Sequence, residues 1–143
     1  MSDLSHAVTL RVEVAAPVAF AYLADPLKLG RWSLGCFHTV STETRGLYSG
    51  VSLYDDTRSW FRIDADITRY LVDYHVGDAT SQVPRISARV IPGPVCGLPA
   101  ACCYVTLTAW RVAGIEDDRW ARLRAAHAAE IWLVKAQIES AKG

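Results

Sequence analysis

The sequence lacks the features that would place it in several large classes of protein. No apolar run reaches the roughly 20 residues that a membrane-spanning helix needs. The 15 basic residues are balanced by 15 acidic residues, so there is no cationic surplus of the kind that nucleic-acid-binding domains gather on one face. The first residues lack the basic start and apolar stretch of a signal peptide, which favours a cytoplasmic location.

Catalytic signatures of fixed spacing are missing as well. There is no G-x-S-x-G elbow, glycine-rich phosphate loop, H-E-x-x-H or dinucleotide fingerprint, so we expect no cofactor. Cys96, Cys102 and Cys103 cluster without the paired C-x2-C spacing of a zinc site, so we expect reduced structural thiols and no metal. Cys36 and His38 lie two residues apart, which leaves a nucleophilic thiol with a neighbouring base as an alternative.

What is present is a chain of 143 residues, 51% of them hydrophobic, which is enough for one domain with its own core over residues 1–143. Residues 7–14 alternate between apolar and polar side chains and predict a half-buried strand. Pro17 then opens a short helix over 18–24. Asp25 is the predicted N-cap of a second short helix that ends near Trp32.

The pattern in the middle of the chain predicts strands separated by turns that contain glycine, proline and aspartate. We predict strands near 36–43, 49–55, 58–66, 69–76, 84–91 and 102–112. Their alternation puts apolar side chains on one face and polar side chains, with Arg85, Trp60 and Trp110, on the other. An antiparallel sheet with one solvated side gives this pattern.

The last segment, from Glu116 to Lys142, has no glycine before the final residue and no proline, and it predicts a long amphipathic helix. Its apolar stripe includes Trp120, Leu123, His127, Ile131, Val134 and Ile138. The predicted architecture is α+β: a curved seven-stranded antiparallel sheet wrapped around this helix, with two short helices after the first strand.

This order resembles the helix-grip fold of the SRPBCC superfamily, which includes START domains, the birch-pollen allergen, polyketide cyclase-like proteins and chaperone-ATPase activators. The residues that carry the likeness are Val8–Val14, Ala16-Pro17-Val18 with Phe20, Asp25-Pro26, Trp32, Gly50, Val105–Thr108 and the helix from Trp120 to Ile138. The resemblance, closest to the polyketide cyclase-like branch, implies a hydrophobic cavity between sheet and helix. The superfamily contains both binders and enzymes, so the fold alone does not choose between them.

His127 is the first candidate for chemistry because it interrupts an apolar stripe. An imidazole with an ordinary pKa of about 6.5 can give or take a proton near neutrality, and burying it unpartnered costs roughly 1–3 kcal/mol. Tyr74 and His38 are candidates for polarising a ligand oxygen. The alternative for these side chains is ordinary packing, with their polar atoms satisfied by the protein.

A larger set of side chains is predicted to contact the ligand. These residues are Trp32, Leu53, Phe61, Tyr70, Leu107, Trp120, Leu123, Glu130 and Ile131. Trp32 is either a gate or a core plug. Glu130 follows His127 by three residues, but one such pair is weak evidence for a metal site. Asp55 is predicted to be a solvent-exposed residue of a turn.

These expectations combine into a functional hypothesis. The domain binds a small hydrophobic or aromatic molecule, polyketide-like or lipid-like, and an acid–base cyclisation, dehydration or lyase step remains open. The alternatives are a non-catalytic carrier or sensor, or an interaction domain of the chaperone-activator kind that uses a surface near Trp60 or Trp110. The expected partner is a small ligand rather than nucleic acid or a membrane, and a homodimer is left open.

Overall fold

The structure, a computed structural model, describes residues 3–141. Its strands are β1 (Ser5–Val12), β2 (Phe37–Ser41), β3 (Tyr48–Val51), β4 (Arg58–Asp66), β5 (Leu71–Gly77), β6 (Gln82–Pro92) and β7 (Cys103–Trp110). Its helices are α1 (Ala16–Leu23), α2 (Pro26–Leu29) and α3 (Asp117–Ala141), with a 3-10 turn over Gly93–Cys96. Lys142, the predicted end of the last helix, lies outside the described residues.

The seven strands form one antiparallel sheet in the order β1-β7-β6-β5-β4-β3-β2. This confirms the predicted fold: a seven-stranded sheet, a long C-terminal helix and two short helices after the first strand. The fourth strand matches its prediction at both ends. The third is shorter than predicted, because the Ser52 N–H donates to the Thr57 carbonyl at 2.8 Å and the Asp56 N–H to the Ser52 carbonyl at 3.0 Å, which turns the chain.

The helices begin where the sequence signals them. Pro17 lies in the first turn of α1, and the Asp25 carboxylate accepts the Leu27 N–H at 2.9 Å and so caps α2. Helix α2 ends at Leu29, before the predicted Trp32. Asp117 and Asp118 begin α3, at the positive end of its dipole.

The apolar stripe of α3 is buried against the sheet as predicted, with Trp120, His127, Ile131, Val134 and Ile138 all buried and Leu123 partly so.

The two faces of the sheet follow the predicted alternation with exceptions at Arg85 and at Trp110, which was predicted on the polar face but lines the cavity described below. Phe61, Val72 and Tyr74 are fully buried on the concave face. In β6, however, the pairing with β5 shifts between Ile86, opposite Tyr74, and Pro84, opposite His75. Arg85 is therefore the extra residue of a β-bulge. A bulge changes the direction in which the side chains of a strand point, and Arg85 lies in the cavity wall. Its predicted place on the polar face is wrong.

The helices cover the concave face unevenly. Helix α3 packs on β1 and β7, and α1 packs on β5, β6 and β7. The main apolar core joins α1 to the later part of α3, and a smaller cluster of Ala109, Ile115 and Trp120 lies near the start of α3. Among residues 3–141 the helices cover β3 and β4 least, so the concave surface above these strands is left more open.

No helix within residues 3–141 is both long enough and apolar enough to cross a membrane.

Candidate functional site

A cavity of about 220 Å³ lies between the sheet and the first half of α3. Phe61 and Tyr74 of the sheet form part of its wall, and Ile86 continues that wall. Trp120 and Leu123 line it from α3, and Trp32 lines it from the segment after α2. The wall is thus mostly apolar, with a small number of polar groups set into it.

The structure brings together seven of the twelve site residues predicted from the sequence. The seven that line the cavity are Trp32, Phe61, Tyr74, Trp120, Leu123, His127 and Glu130. Their placement in one wall is a structural observation, whereas their roles toward a ligand remain predictions.

Five predicted residues lie elsewhere. His38 is exposed at a register shift in β2 with a φ of 49°, so the predicted inward orientation is wrong. Leu53 is 53% exposed on the turn after β3. Tyr70 precedes β5 and packs on Phe20, with ring centroids 5.6 Å apart. Leu107 and Ile131 are buried in the main core and do not line the cavity.

His127 has one nitrogen engaged and one free. Its Nδ1 lies 2.8 Å from Nδ1 of His6, so one proton is shared between the two rings. Its Nε2 is buried and has no hydrogen-bond partner among residues 3–141. Burial, and after it the neighbouring His6, lowers the pKa of His127 to about 4. His127 is therefore neutral at pH 7, and the sequence-based expectation that it would titrate near neutrality is wrong.

The tautomer of this pair sets what His127 offers to the cavity. If the His6 Nδ1–H donates, the proton of His127 lies on Nε2, which becomes a donor. If the His127 Nδ1–H donates, Nε2 is an acceptor and a base. His6 thus sets whether the Nε2 of His127 is a hydrogen-bond donor or an acceptor. It was missed because the first strand was predicted to begin at Ala7, although one more step of the alternation from Val8 places His6 on the same face.

Glu130 is buried in the cavity wall, 5% exposed. Its Oε2 accepts the Leu34 N–H at 2.7 Å, which ties α3 to the segment after α2. Burial raises the pKa of Glu130 to about 7, against the lowering effects of the Leu34 N–H and of Arg85. A large fraction of this carboxyl group is therefore protonated at neutral pH, and the group can donate a proton there.

Trp32 is held in place by its ring rather than by its indole nitrogen. The ring meets Tyr74 edge to face, with centroids 5.7 Å apart, and is 1% exposed. Its Nε1–H is buried without a hydrogen-bond partner among the described residues. A buried donor without a hydrogen-bond partner costs roughly 1–3 kcal/mol of stability.

Tyr74 lines the cavity, whereas its hydroxyl forms a hydrogen bond within the protein. The hydroxyl donates to the Leu23 carbonyl at 2.6 Å, in a fully buried position. Burial raises the pKa of the phenol, so it is neutral across the physiological range. The geometry does not support the predicted role in polarising a ligand oxygen, because the only proton of the hydroxyl is already donated.

Replacing Tyr74 by phenylalanine tests this assignment. We expect Tyr74→Phe to lower the free energy of unfolding by about 1–3 kcal/mol, because the Leu23 carbonyl loses a buried donor. Ligand affinity should change less than threefold, since the ring remains. Urea denaturation and a ligand titration measure the two effects. If Tyr74→Phe is as stable as the wild type but no longer binds the ligand, the hydroxyl contacts the ligand and this assignment is wrong.

The thiol alternative fails on geometry. Cys36 lines the cavity and is buried, and burial raises the pKa of its thiol to about 12. His38 stacks edge to face on Phe37 and is exposed, so it is no base for that thiol. All four cysteines are free, and Cys96 is the exposed one.

The mouth of the cavity carries charged groups from α3 and from the turn after β3. Arg122 lies 3.7 Å from the Asp55 carboxylate and 5.0 Å from the centre of the Tyr54 ring. Asp55 is a half-exposed turn residue, as predicted, and also lines the mouth. Trp110 lines the cavity and is 39% exposed. Its proposed use as a subunit contact stays a prediction.

Comparison with known proteins supports the fold. No family model matches the sequence, and no curated protein matches it. Among solved structures, the Zhui aromatase/cyclase from Streptomyces sp. R1128 superposes with a TM-score of 0.65 at 18% identity, over 94% of this chain and 93% of that one. A START superfamily protein from Mycobacterium smegmatis gives a TM-score of 0.67 at 6% identity, over 95% and 97% of the chains. This chain has the START-like helix-grip fold.

Another of these neighbours is a di-domain protein. The di-domain ARO/CYC BexL from the BE-7585A biosynthetic pathway matches with a TM-score of 0.65 at 17% identity. The match covers 94% of this chain and 46% of that chain, so this chain spans about half of the di-domain protein. At these identities the likeness establishes the fold, and the function has to be argued from the cavity.

Proposed function

We propose that this domain binds a small aromatic or otherwise apolar molecule in the cavity between the sheet and α3. One observation carries the proposal: two buried polar atoms, Nε1 of Trp32 and Nε2 of His127, lack partners in an apolar wall. Buried polar groups are nearly always hydrogen-bonded in folded proteins. Neither atom is exposed to the cavity as it stands, so a ligand with oxygen or nitrogen atoms at two positions would satisfy both after a small shift of these two cavity-lining side chains.

The size of the cavity limits the ligand. At about 220 Å³ it is smaller than the roughly 300–1,000 Å³ of sites for drug-sized molecules. A ligand of one or two rings fits this volume, and a long chain would have to extend through the mouth near Arg122. The flat side chains of Trp32, Phe61 and Tyr74 favour aromatic ligands.

The acid–base part of the proposal assigns roles to two residues. Glu130, with its raised pKa, donates a proton to a ligand oxygen, and His127 Nε2 in its acceptor tautomer takes a proton from a C–H beside a carbonyl. Because burial lowers the pKa of His127 to about 4, His127 is the weaker participant, and Glu130, with a pKa near neutrality, is the main proton-transfer group. In an aldol cyclisation a C–C bond forms, and the two groups end with exchanged protonation states. A subsequent loss of water, in which His127 returns its proton to the departing hydroxyl and Glu130 accepts one from carbon, restores both.

Two other functions remain to be distinguished from this one. A carrier would use the same cavity without proton chemistry, so it predicts binding but no turnover. A chaperone-activator-like domain would use a surface, and the buried unpartnered atoms favour the cavity instead. The cytoplasmic location and the homodimer stay predictions.

Native mass spectrometry of the freshly purified protein tests binding, because we expect a bound small molecule that is lost on denaturation. Its mass would identify the ligand class.

Nitrogen-15 NMR of His127 then tests the role of its Nε2. We expect the Nε2 resonance and the tautomer to shift when the ligand binds. A resonance unmoved by every ligand that binds would exclude a contact with Nε2, and a mutant, His6→Phe, should change the tautomer in the empty protein.

A further inference from the structure

A positive charge lines the cavity without a partner of its own. Arg85 is partly buried and lines the cavity, and it has no ion pair or hydrogen bond with any residue of the described range 3–141. The bulge in β6 puts it there. The pairing of β6 with β7 begins only at Ile86, opposite Ala109, so the segment before it is free on that side and tolerates both the bulge and Pro84.

The groups around Arg85 do not neutralise it. The titratable and charged groups that act on it are Arg119, Cys36 and Glu130. Arg119 has the same sign, and Cys36 is an uncharged thiol at neutral pH. Glu130 lies beyond ion-pair distance and is only partly ionised at pH 7. Burial lowers the pKa of Arg85, yet an arginine stays charged at any physiological pH.

We propose that the ligand of this cavity is an aromatic acid, carrying one carboxylate or an ionised enol or phenol, and that Arg85 binds the anionic oxygen. This inference rests on the proposed function, since it names the chemical class of the molecule that occupies the same cavity. The anion supplies the negative charge that Arg85 lacks among residues 3–141. The free-energy cost of removing the anion from water is offset by its interaction with the guanidinium.

The guanidinium and the cavity wall fit the same ligand. A guanidinium presents a planar fork of N–H donors that matches a carboxylate with two parallel hydrogen bonds. Trp32, Phe61 and Tyr74 line the same cavity and accommodate the rings of the ligand. A neutral ligand of equal shape would leave Arg85 uncompensated.

The test compares two isosteric probes, 2-naphthoate and 2-naphthamide, which differ in charge and hardly in size. Affinities for the full chain at pH 7 are measured by calorimetry and by the fluorescence of the cavity tryptophans. We expect the naphthoate to bind at least tenfold more tightly. In Arg85→Gln this preference should fall below threefold, with the naphthamide affinity unchanged.

Two variants separate this effect from a loss of folding. Arg85→Lys keeps the charge without the fork and should retain part of the preference. Arg89→Gln removes an exposed arginine from the outer face of the same strand and should leave both affinities unchanged. Melting temperatures are recorded for each variant.

Equal affinity of the wild type for both probes, or equal weakening of both by Arg85→Gln, would overturn the inference and leave the proposed binding function standing. Failure of both probes to bind the wild-type protein would overturn both.

Discussion

Gly30→Ala is expected to lower the free energy of unfolding by about 3 kcal/mol, and with it the melting temperature by roughly 10 °C. A Cβ at this position would lie 2.3 Å from the Thr39 backbone nitrogen and 2.4 Å from its Oγ1. The Thr39 hydroxyl accepts the Gly30 N–H at 3.1 Å and donates to the Pro26 carbonyl at 2.8 Å. This contact joins α2 to β2, so an added methyl group forces the two apart.

The effect should reach the cavity, because Trp32 follows Gly30 by two residues and lines the wall. We expect at least tenfold weaker binding of 2-naphthoate by Gly30→Ala, measured by calorimetry at a temperature where the variant is still folded. Gly35→Ala is the matched control: Gly35 also lines the cavity, its added Cβ meets nothing within 4 Å, and its φ is not positive. A Gly30→Ala protein as stable as Gly35→Ala would contradict the tight approach of α2 to β2.

The helices and the sheet could be predicted from the sequence because their signals are local and periodic. The alternation in β1, the proline of α1, the Asp25 cap and the stripe of α3 each depend on neighbours within one or two turns. The fourth strand was placed at both ends for the same reason. Turn residues marked where one strand ends and the next begins, whereas the pairing of β1 with β7, which no turn connects, was not predicted.

The errors occur where the periodicity breaks. A bulge adds one residue to β6 and moves Arg85 from the outer face into the cavity, and strict alternation has no means of representing it. Pro84, which cannot donate to a ladder, was the available signal of an interruption. His38, at the register shift of β2, was misplaced in the same way. Leu53 was misplaced because the strand ends at Val51 and Ser52 begins the turn.

The electrostatic character of the site depends on distances that a sequence does not contain. Glu130 lay at the edge of the predicted stripe, and its raised pKa follows from the depth of its burial. The lowered pKa of His127 follows from burial and from His6, 121 residues away in the chain. The sequence thus identified both residues as candidates and gave neither its protonation state.

These two pKa shifts predict opposite effects of pH on stability. The pKa of His127 falls from 6.5 to about 4 on folding, so between these values the unfolded chain binds more protons and stability rises with pH. The pKa of Glu130 rises from 4.5 to about 7, so over that interval the folded chain binds more protons and stability falls with pH. In the wild-type protein the two contributions largely cancel between about pH 4.5 and 6.5.

Removing one group should therefore reveal the other. In Glu130→Gln the free energy of unfolding should increase by about 2–3 kcal/mol as the pH is raised from 4.5 to 6.5, whereas the wild-type value stays nearly constant. The reason is that only the contribution of His127 remains. In His127→Leu the free energy of unfolding should fall by a similar amount between pH 4.5 and 7, because Glu130 alone remains. Urea denaturation at closely spaced pH values measures both profiles.

The comparison between variants isolates these two groups. Asp55, Asp66 and Asp78 have pKa values below the usual aspartate value through hydrogen bonds in their turns, and they contribute equally to every profile. Parallel profiles for the wild type, Glu130→Gln and His127→Leu would mean that neither group is perturbed, and the assignment of Glu130 as acid and His127 as base would then be wrong.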